Sequence, residues 1–553
     1  VANQNKKISV LVPSWLKNLV PSCLRGKNKN MKKSFPYGQE HLTASIALGI
    51  ARGEIKGVLT DETRAKVRAS AAAVEKIVAN GKPVYGINTG FGPLCTTMIS
   101  PDQTRKLQEN ILKSHAVGVG EPIPIEISKL MLILKIHALA KGFSGIQEYT
   151  LDRMLWHIEQ DAIPVVPKQG SVGASGDLAP LSHLFLPLIG LGRIHCKGEI
   201  IPTSKLFQDF QLEPIHLGPK EGLALINGTQ FIAAFGVKVL ERFYNILAHA
   251  DITGAMMLEG LLGSVRPFSA ELHQLRPYTG NQHVAQSILN LLHDSEIVHS
   301  HATCARVQDP YSLRCMPQVH GASRNAWLHL KQMLEIEINS VTDNPVVFDE
   351  NHTISGGNFH GQPIAMPLDY ACLAASEIGN VSDRRIYLSL EGDTPGVPKL
   401  LLKETGLNSG FMIPQYTTAA LASENKGLCF PSSADSIPTS LGQEDHVSMG
   451  SIGARKALQV IENVEKILGV ELYCAAQAVD FHAPLKSGKI MTALYEHVRT
   501  KIKHVTEDQI MYEDMETAIE IIRSGELLNL AREVAEKEGL ALETPLSGDF
   551  DKF

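Results

Sequence analysis

The chain has 553 residues, 44% of them hydrophobic and 20% charged, with a formal net charge of −6. That length supplies an ample core for roughly two to four domain-sized units. The acidic balance excludes the basic footprint of a nucleic-acid binder, and no apolar run reaches the ~20 residues of a membrane-spanning helix.

Residues 1–40 read as a basic extension without regular structure. Up to Gln39 there is no acidic residue against eight Lys or Arg, and Pro13 and Pro21 interrupt the stretch. It lacks the apolar segment of a secretory signal, and Met31 reads as the natural start. Residues 41–220 form a first domain. Its pattern predicts helices over 61–80, 103–114 and 125–161, the last broken at Gly142–Gly145, then a strand over 163–166 and a small hairpin within 192–202. Residues 221–520 predict a long-helix bundle. Ile232, Phe235, Val239, Phe243 and Ile246 share one helix face, as do Ile461, Val464, Leu468 and Leu472. Long helices follow over 228–263, 366–390 and 445–478, and helices of that length pack best as a bundle. Residues 521–553 are a C-terminal segment. The predicted fold class is mainly α: an N-terminal domain, then a long central helix bundle. The eight cysteines are scattered with no CxxC pair. That excludes a zinc knuckle or a redox dithiol and suits small core residues in a reducing, cytoplasmic compartment.

Four glycine-rich segments interrupt the helical pattern: YGINTGFG at 85–92, GSVGASGD at 170–177, ING at 226–228 and GGNFHG at 356–361. Glycine clusters mark tight bends or close backbone approach, and functional groups gather on such loops. A plain turn remains the better explanation for any one of them taken alone. Gly173–Asp177 nearly spells the G-x-S-x-G elbow of a serine hydrolase, but the fifth residue is Asp177, and the alternating strands of that fold are missing. Neither HExxH nor a phosphate-binding loop occurs, so no metal or nucleotide is expected.

The fourteen-residue run GSVGASGDLAPLSH at 170–183 resembles the signature of the aromatic amino-acid ammonia-lyase family. QDPYSLR at 308, NPVVF at 344, GGNFHGQP at 356 and QEDHVSM at 443 resemble further motifs of that family in the same order, from about Thr43 to Ser524. The resemblance implies a fumarase/aspartase-like architecture and a homotetramer with each active site assembled from three chains. It also implies an electrophile, 4-methylidene-imidazol-5-one (MIO), made from Ala174, Ser175 and Gly176. The local chemistry agrees: Gly176 has no side chain to keep its nitrogen from the Ala174 carbonyl carbon. Ring closure and loss of two waters, one carrying the Ser175 hydroxyl, leave a conjugated methylene. No ordinary side chain is an electrophile, so covalent catalysis at an amine needs such a group.

By the same resemblance Tyr85 is the base on a mobile lid, with its pKa depressed from the usual ~10, and Tyr311 is a second essential tyrosine. Arg314 grips the substrate carboxylate, as a planar guanidinium fork does well. Asn227 bonds the substrate or the ring carbonyl of the electrophile, and Gln308 and Phe359 line the pocket. Phenylalanine-acting members resemble Phe-Leu at the ring pocket and tyrosine-acting members His-Leu; here Ser114-His115 stands, the pattern of the histidine-acting branch. Glu424, in SENK, resembles a glutamate of that branch. An imidazole has two nitrogens to satisfy, and His115 and Glu424 offer a donor and an acceptor. A site built to hydrogen-bond its substrate rejects a plain phenyl ring by something on the order of 10⁴-fold. The implied reaction is non-oxidative elimination of ammonia from L-histidine to give trans-urocanate. Met316, His320 and residues 430–434 depart from the commoner form of the branch. The alternatives are a tyrosine or phenylalanine lyase or aminomutase of the same family and, in another class, an inactive helical assembly protein.

Overall fold

The computed structural model describes residues 33–81, 83–90, 92, 98–302 and 306–553. The basic extension therefore lies outside the described residues up to position 32. Residues 33–40 correct the expectation of an unstructured segment to 40. Ser34–Pro36 pairs in parallel with Lys56–Val58, and Phe35 and Tyr37 are buried against the first domain. Two aromatic side chains supply burial that outweighs the neighbouring lysines.

The Gln230–Gly260 helix is the axis of the bundle. It is buried along most of its length because its sequence is apolar on nearly every face. Gly450–Asp480 and Met316–Ile338 pack on it, and Gln362–Ser389 packs on all three. Met412–Leu428 lies against Gln362–Ser389 and Gly450–Asp480. Small residues set the closest approaches: a Cβ on Gly254 would fall 2.6 Å from Met316 Sδ, and one on Gly260 2.7 Å from Ala478 Cβ. Charged pairs stitch the helices together. Arg385 and Glu471 form a fully buried ion pair, and Arg242 donates to Glu462 and Glu465 at 2.9 and 2.5 Å.

The three long helices anticipated from periodicity are present with shifted starts. Gln362–Ser389 begins before residue 366 because Pro363 occupies the first turn, where a missing N–H has no partner to lose. Gly450–Asp480 begins after residue 445 because Met449 takes φ +51° and Ser448 Oγ accepts from Gly450 N at 3.2 Å. Met316–Ile338 escaped the periodicity because buried His320, Ser323 and Arg324 interrupt its apolar stripe.

Between residues 125 and 161 the predicted break is real. Ile125–Leu139 and Glu148–Glu159 are separate helices, with Gly142 and Gly145 at positive φ between them. Ile163–Pro164 pairs with Arg193–Cys196, which forms the expected hairpin with Glu199–Pro202. Val119–Pro122 and Pro167–Gln169 add a short antiparallel pair, which brings the end of the Pro101–His115 helix beside the loop at 170–177. No helix among the described residues is long and apolar enough to cross a membrane.

Candidate active site

The loop at 173–177 is pressed against backbone on two sides. Ser175 and Gly176 adopt φ +51° and +78°, and Gly176 bridges Gly228. Asp177 N donates to Gly228 O at 2.7 Å. A Cβ on Gly176 would collide with the Gly228 carbonyl, and one on Gly173 with Ser448 Oγ. Gly176 is therefore required by close backbone approach as well as by its angle, and Gly173 by its φ of +76°.

Four anchors hold this turn. Asp177 Oδ2 accepts from Phe231 N and Ile232 N at 2.9 and 3.0 Å, so the residue after the turn caps the central helix. The amino end of the 31-residue helix is thereby tied to the turn through Asp177, which takes up two of its first amides. Burial pushes the Asp177 carboxyl up to about 7, against the pull of those two amides. Asn227 Nδ2 donates to Ser175 O at 3.2 Å. Behind it, buried Lys135 donates to Asn227 O at 2.5 Å, its ammonium pushed down to about 7 by burial. The start of the last long helix is pinned to the same loop: Met449 N donates to Val172 O at 3.0 Å and Ser451 Oγ to Ser171 O at 2.7 Å.

These loops surround a cavity of about 390 Å³ lined by Tyr85, Ala174, Ser175, Asn227, Asn344, Phe359, His360, Glu444 and His446, among others. Tyr85 Oη accepts from Gly92 N at 3.4 Å across the YGINTGFG turn, whose residue 91 lies outside the described residues. His115 is half-buried at the end of the Pro101–His115 helix. Ser182 Oγ donates to Leu112 O at 2.5 Å and Gly118 N to His183 Nε2 at 3.0 Å, so the last two residues of GSVGASGDLAPLSH anchor it. Ser114 Oγ lies 2.9 Å from His115 Nδ1. Burial lowers the His115 pKa, with the Ile111 carbonyl and the Glu444 charge opposing it. The ring is thus neutral near pH 7 and offers one donor and one acceptor.

Glu444 is the residue that sequence reasoning missed. Its Oε2 is buried without a hydrogen-bond partner among the described residues, and the side chain lines the cavity within electrostatic reach of His115. QEDHVSM carried the signal, but the helix was expected to start at 445, which turned a presenting loop into a helical end. Glu424 stands apart, as Arg314 does below. It lies exposed on Met412–Leu428, accepts from Asn463 Nδ2 at 3.3 Å, and does not line the cavity.

Gln308, Tyr311 and Arg314 form a separate group. Arg314 donates to Asp309 O and Gln308 Oε1, each at 2.9 Å, and its guanidinium lies 4.5 Å from the Tyr311 ring centroid. None of the three lines the Ser175 cavity of their own chain, and Tyr311 is 71% exposed. A buried network supports their turn from below. Arg385 Nη1 donates to Ser312 O at 3.4 Å and lies 3.4 Å from His320 Nε2, while His320 Nδ1 is 2.7 Å from Asp251 Oδ1. The unusual His320 therefore belongs to the scaffold under the turn rather than to the cavity.

A family model for aromatic amino acid lyases matches residues 42–500. The chain belongs to the aromatic amino acid lyase family. A histidine ammonia-lyase of Myxococcus xanthus is 46% identical over 486 residues, covering 88% of this chain and 96% of that protein. Among solved structures, histidine ammonia-lyase from Trypanosoma cruzi superposes with a TM-score of 0.83 at 39% identity, over 91% of this chain and 95% of that one. A tyrosine aminomutase from Streptomyces globisporus superposes at 0.85 with 33% identity, over 90% and 99% of the two chains. The family scaffold therefore carries more than one reaction, and substrate choice has to be argued from side chains.

Proposed function

We propose that the chain eliminates ammonia from L-histidine to give trans-urocanate. The observation that carries the reading is Glu444: a carboxylate that lines the cavity holding Ser175, with one oxygen lacking a hydrogen-bond partner among the described residues, and within electrostatic reach of a neutral His115. A buried acceptor left unmatched is costly. An imidazole N–H meets it while the second ring nitrogen turns to His115. A phenyl ring leaves Glu444 unmatched and is disfavoured.

The turn fits MIO. Ser175 and Gly176 already hold left-handed φ, Gly176 tolerates no side chain, and Asn227 donates to Ser175 O, the oxygen that cyclisation leaves as the ring carbonyl. The group, formed from Ala174, Ser175 and Gly176, supplies the electrophile that makes the substrate amine a competent leaving group. The protein does the rest. Asn227 stabilises negative charge on the Ser175 carbonyl oxygen. Tyr85 takes the β-proton at Oη, and Phe359 covers the cavity.

The substrate carboxylate falls to Arg314, with Gln308 fixing the guanidinium and Tyr311 beside it. Because this cluster is exposed and outside its own chain's cavity, we assign it to the cavity of another protomer in a homotetramer. Exposed Met366, Tyr370, Leu373 and Tyr387 along one helix give that assembly an apolar face. A cytoplasmic setting suits the free thiols of Cys196, Cys315, Cys372, Cys429 and Cys474.

The test is parallel incubation with L-histidine, L-tyrosine and L-phenylalanine, followed by ultraviolet absorbance and chromatography. The reading expects urocanate from histidine and little product from the others. Turnover of tyrosine or phenylalanine in preference to histidine, or a β-amino acid as the main product, overturns it.

A further inference from the structure

A second cavity, of about 560 Å³, shares no lining residue with the Ser175 cavity. It opens between the Gln230–Gly260, Thr279–Leu291, Met316–Ile338 and Glu526–Glu538 helices and is closed by residues 540–552. Its volume is that of an ordinary small-molecule site.

At its floor sits Arg324, 2% exposed. Nη2 is committed to Asp251 Oδ2 at 2.5 Å and reaches Leu247 O at 3.4 Å. Nε and Nη1 have no hydrogen-bond partner among the described residues. The acid nearest to Nη1 is Asp551, whose Oδ1 stands 3.9 Å away, beyond hydrogen-bond range, and is 3.5 Å from His283 Nε2. A guanidinium is never neutral and its buried donors demand acceptors, so an unmatched Arg324 points to a ligand oxygen.

The rest of the lining narrows the chemistry. Leu528, Ala531, Ala535 and Leu542 give an apolar wall. Asp551, Glu536 and Glu543 set carboxylates beside the cations of Arg324, Arg532 and Lys552 on the same cavity, so its lining carries both signs and suits a ligand that carries both. A buried cation, a nearby anion and an apolar wall together complement one common molecule: a zwitterion with a hydrocarbon side chain. We infer that this cavity binds an α-amino acid with an apolar side chain, its carboxylate on Arg324, its ammonium toward Asp551 and its side chain against Leu528 and Ala535. The site is distinct from the lyase centre.

The experiment is calorimetric titration of the intact protein with L-leucine, which lacks the ring of the lyase substrate, alongside hexanoate and isopentylamine, each of which has one of leucine's two charges. L-leucine is expected to bind saturably at millimolar concentration or below, and the two single-charge probes at least about tenfold more weakly. Ala535→Trp fills the wall without altering any charge and is expected to weaken leucine by about tenfold or more, Asp551→Asn by several-fold. Arg314→Met removes the carboxylate grip of the lyase centre and is expected to leave leucine binding intact. Absence of saturable leucine binding overturns the inference. So does binding that survives Ala535→Trp, that is matched by hexanoate alone, or that is lost in Arg314→Met.

Discussion

Around Ser175 positions are fixed by backbone pressed against backbone, whereas around Arg314 two exposed side chains, Gln308 and Tyr311, hold a half-buried guanidinium. The first region needs two glycines at positive φ, a helix cap from Asp177 and an amide from Asn227. The second needs only a short turn, Tyr311–Arg314, propped by Arg385 on Ser312 O. Bond-making chemistry demands exact placement, which packed backbone provides. Gripping a carboxylate demands a charged fork that reaches outward, and here it reaches away from its own chain's cavity.

The largest effect tests the first region. Ser175→Ala is expected to lower kcat for histidine by roughly 10³-fold or more while leaving the thermal midpoint unchanged, because the methyl side chain fits the same turn. Near-normal turnover would remove that region from the chemistry.

The contrast between the two regions sharpens if they are supplied by different protomers. Arg314→Met alone is expected to cost about 10²-fold in kcat/KM. Co-expression with Ser175→Ala should then yield mixed oligomers with measurable activity, since some sites receive both intact halves. Mixed oligomers as dead as either parent would place both halves in one chain.

Two glutamates give a smaller, paired effect. Glu444→Gln is expected to lower kcat/KM for histidine by about 10- to 100-fold. Glu424→Gln, exposed and outside its own chain's cavity like the Arg314 cluster, is expected to lower it by several-fold with an unchanged thermal midpoint. Glu424→Gln kinetics indistinguishable from the parent would remove that residue from the substrate ring.

The smallest effect concerns the bundle that supports Arg314. Burial pushes His249 from its ordinary 6.5 down to about 4, with Nδ1 2.8 Å from Asn245 O. The unfolded chain takes up a proton near 6.5 and the folded chain refuses it until about 4. Stability from this residue is therefore present above pH 6.5 and lost as pH falls toward 4. The urea midpoint should fall across that window, and His249→Gln should fall less steeply.

Much of this was legible from residue order. The helices at 230–260 and 450–480 announce themselves because apolar residues recur at helical spacing over most of their length. The Ser175 turn announces itself because glycine is irreplaceable where backbones touch. What periodicity hid were elements whose buried faces carry polar side chains. Met316–Ile338 buries His320 in a hydrogen bond and Arg324 in an ion pair, both with Asp251, a pattern that resembles a surface. Glu444 was hidden because helix and loop look alike over 443–449; the left-handed Met449 that separates them is visible only in three dimensions. The separation of Arg314 from Ser175 is a fact of tertiary placement that motif order along the chain does not encode.

The most direct measurement is the mass of the proteolytic peptide spanning Ser175 in the active enzyme. A peptide lighter than the encoded sequence by two waters is the result expected from a cyclised Ala174–Ser175–Gly176. An unmodified mass in fully active protein would contradict it.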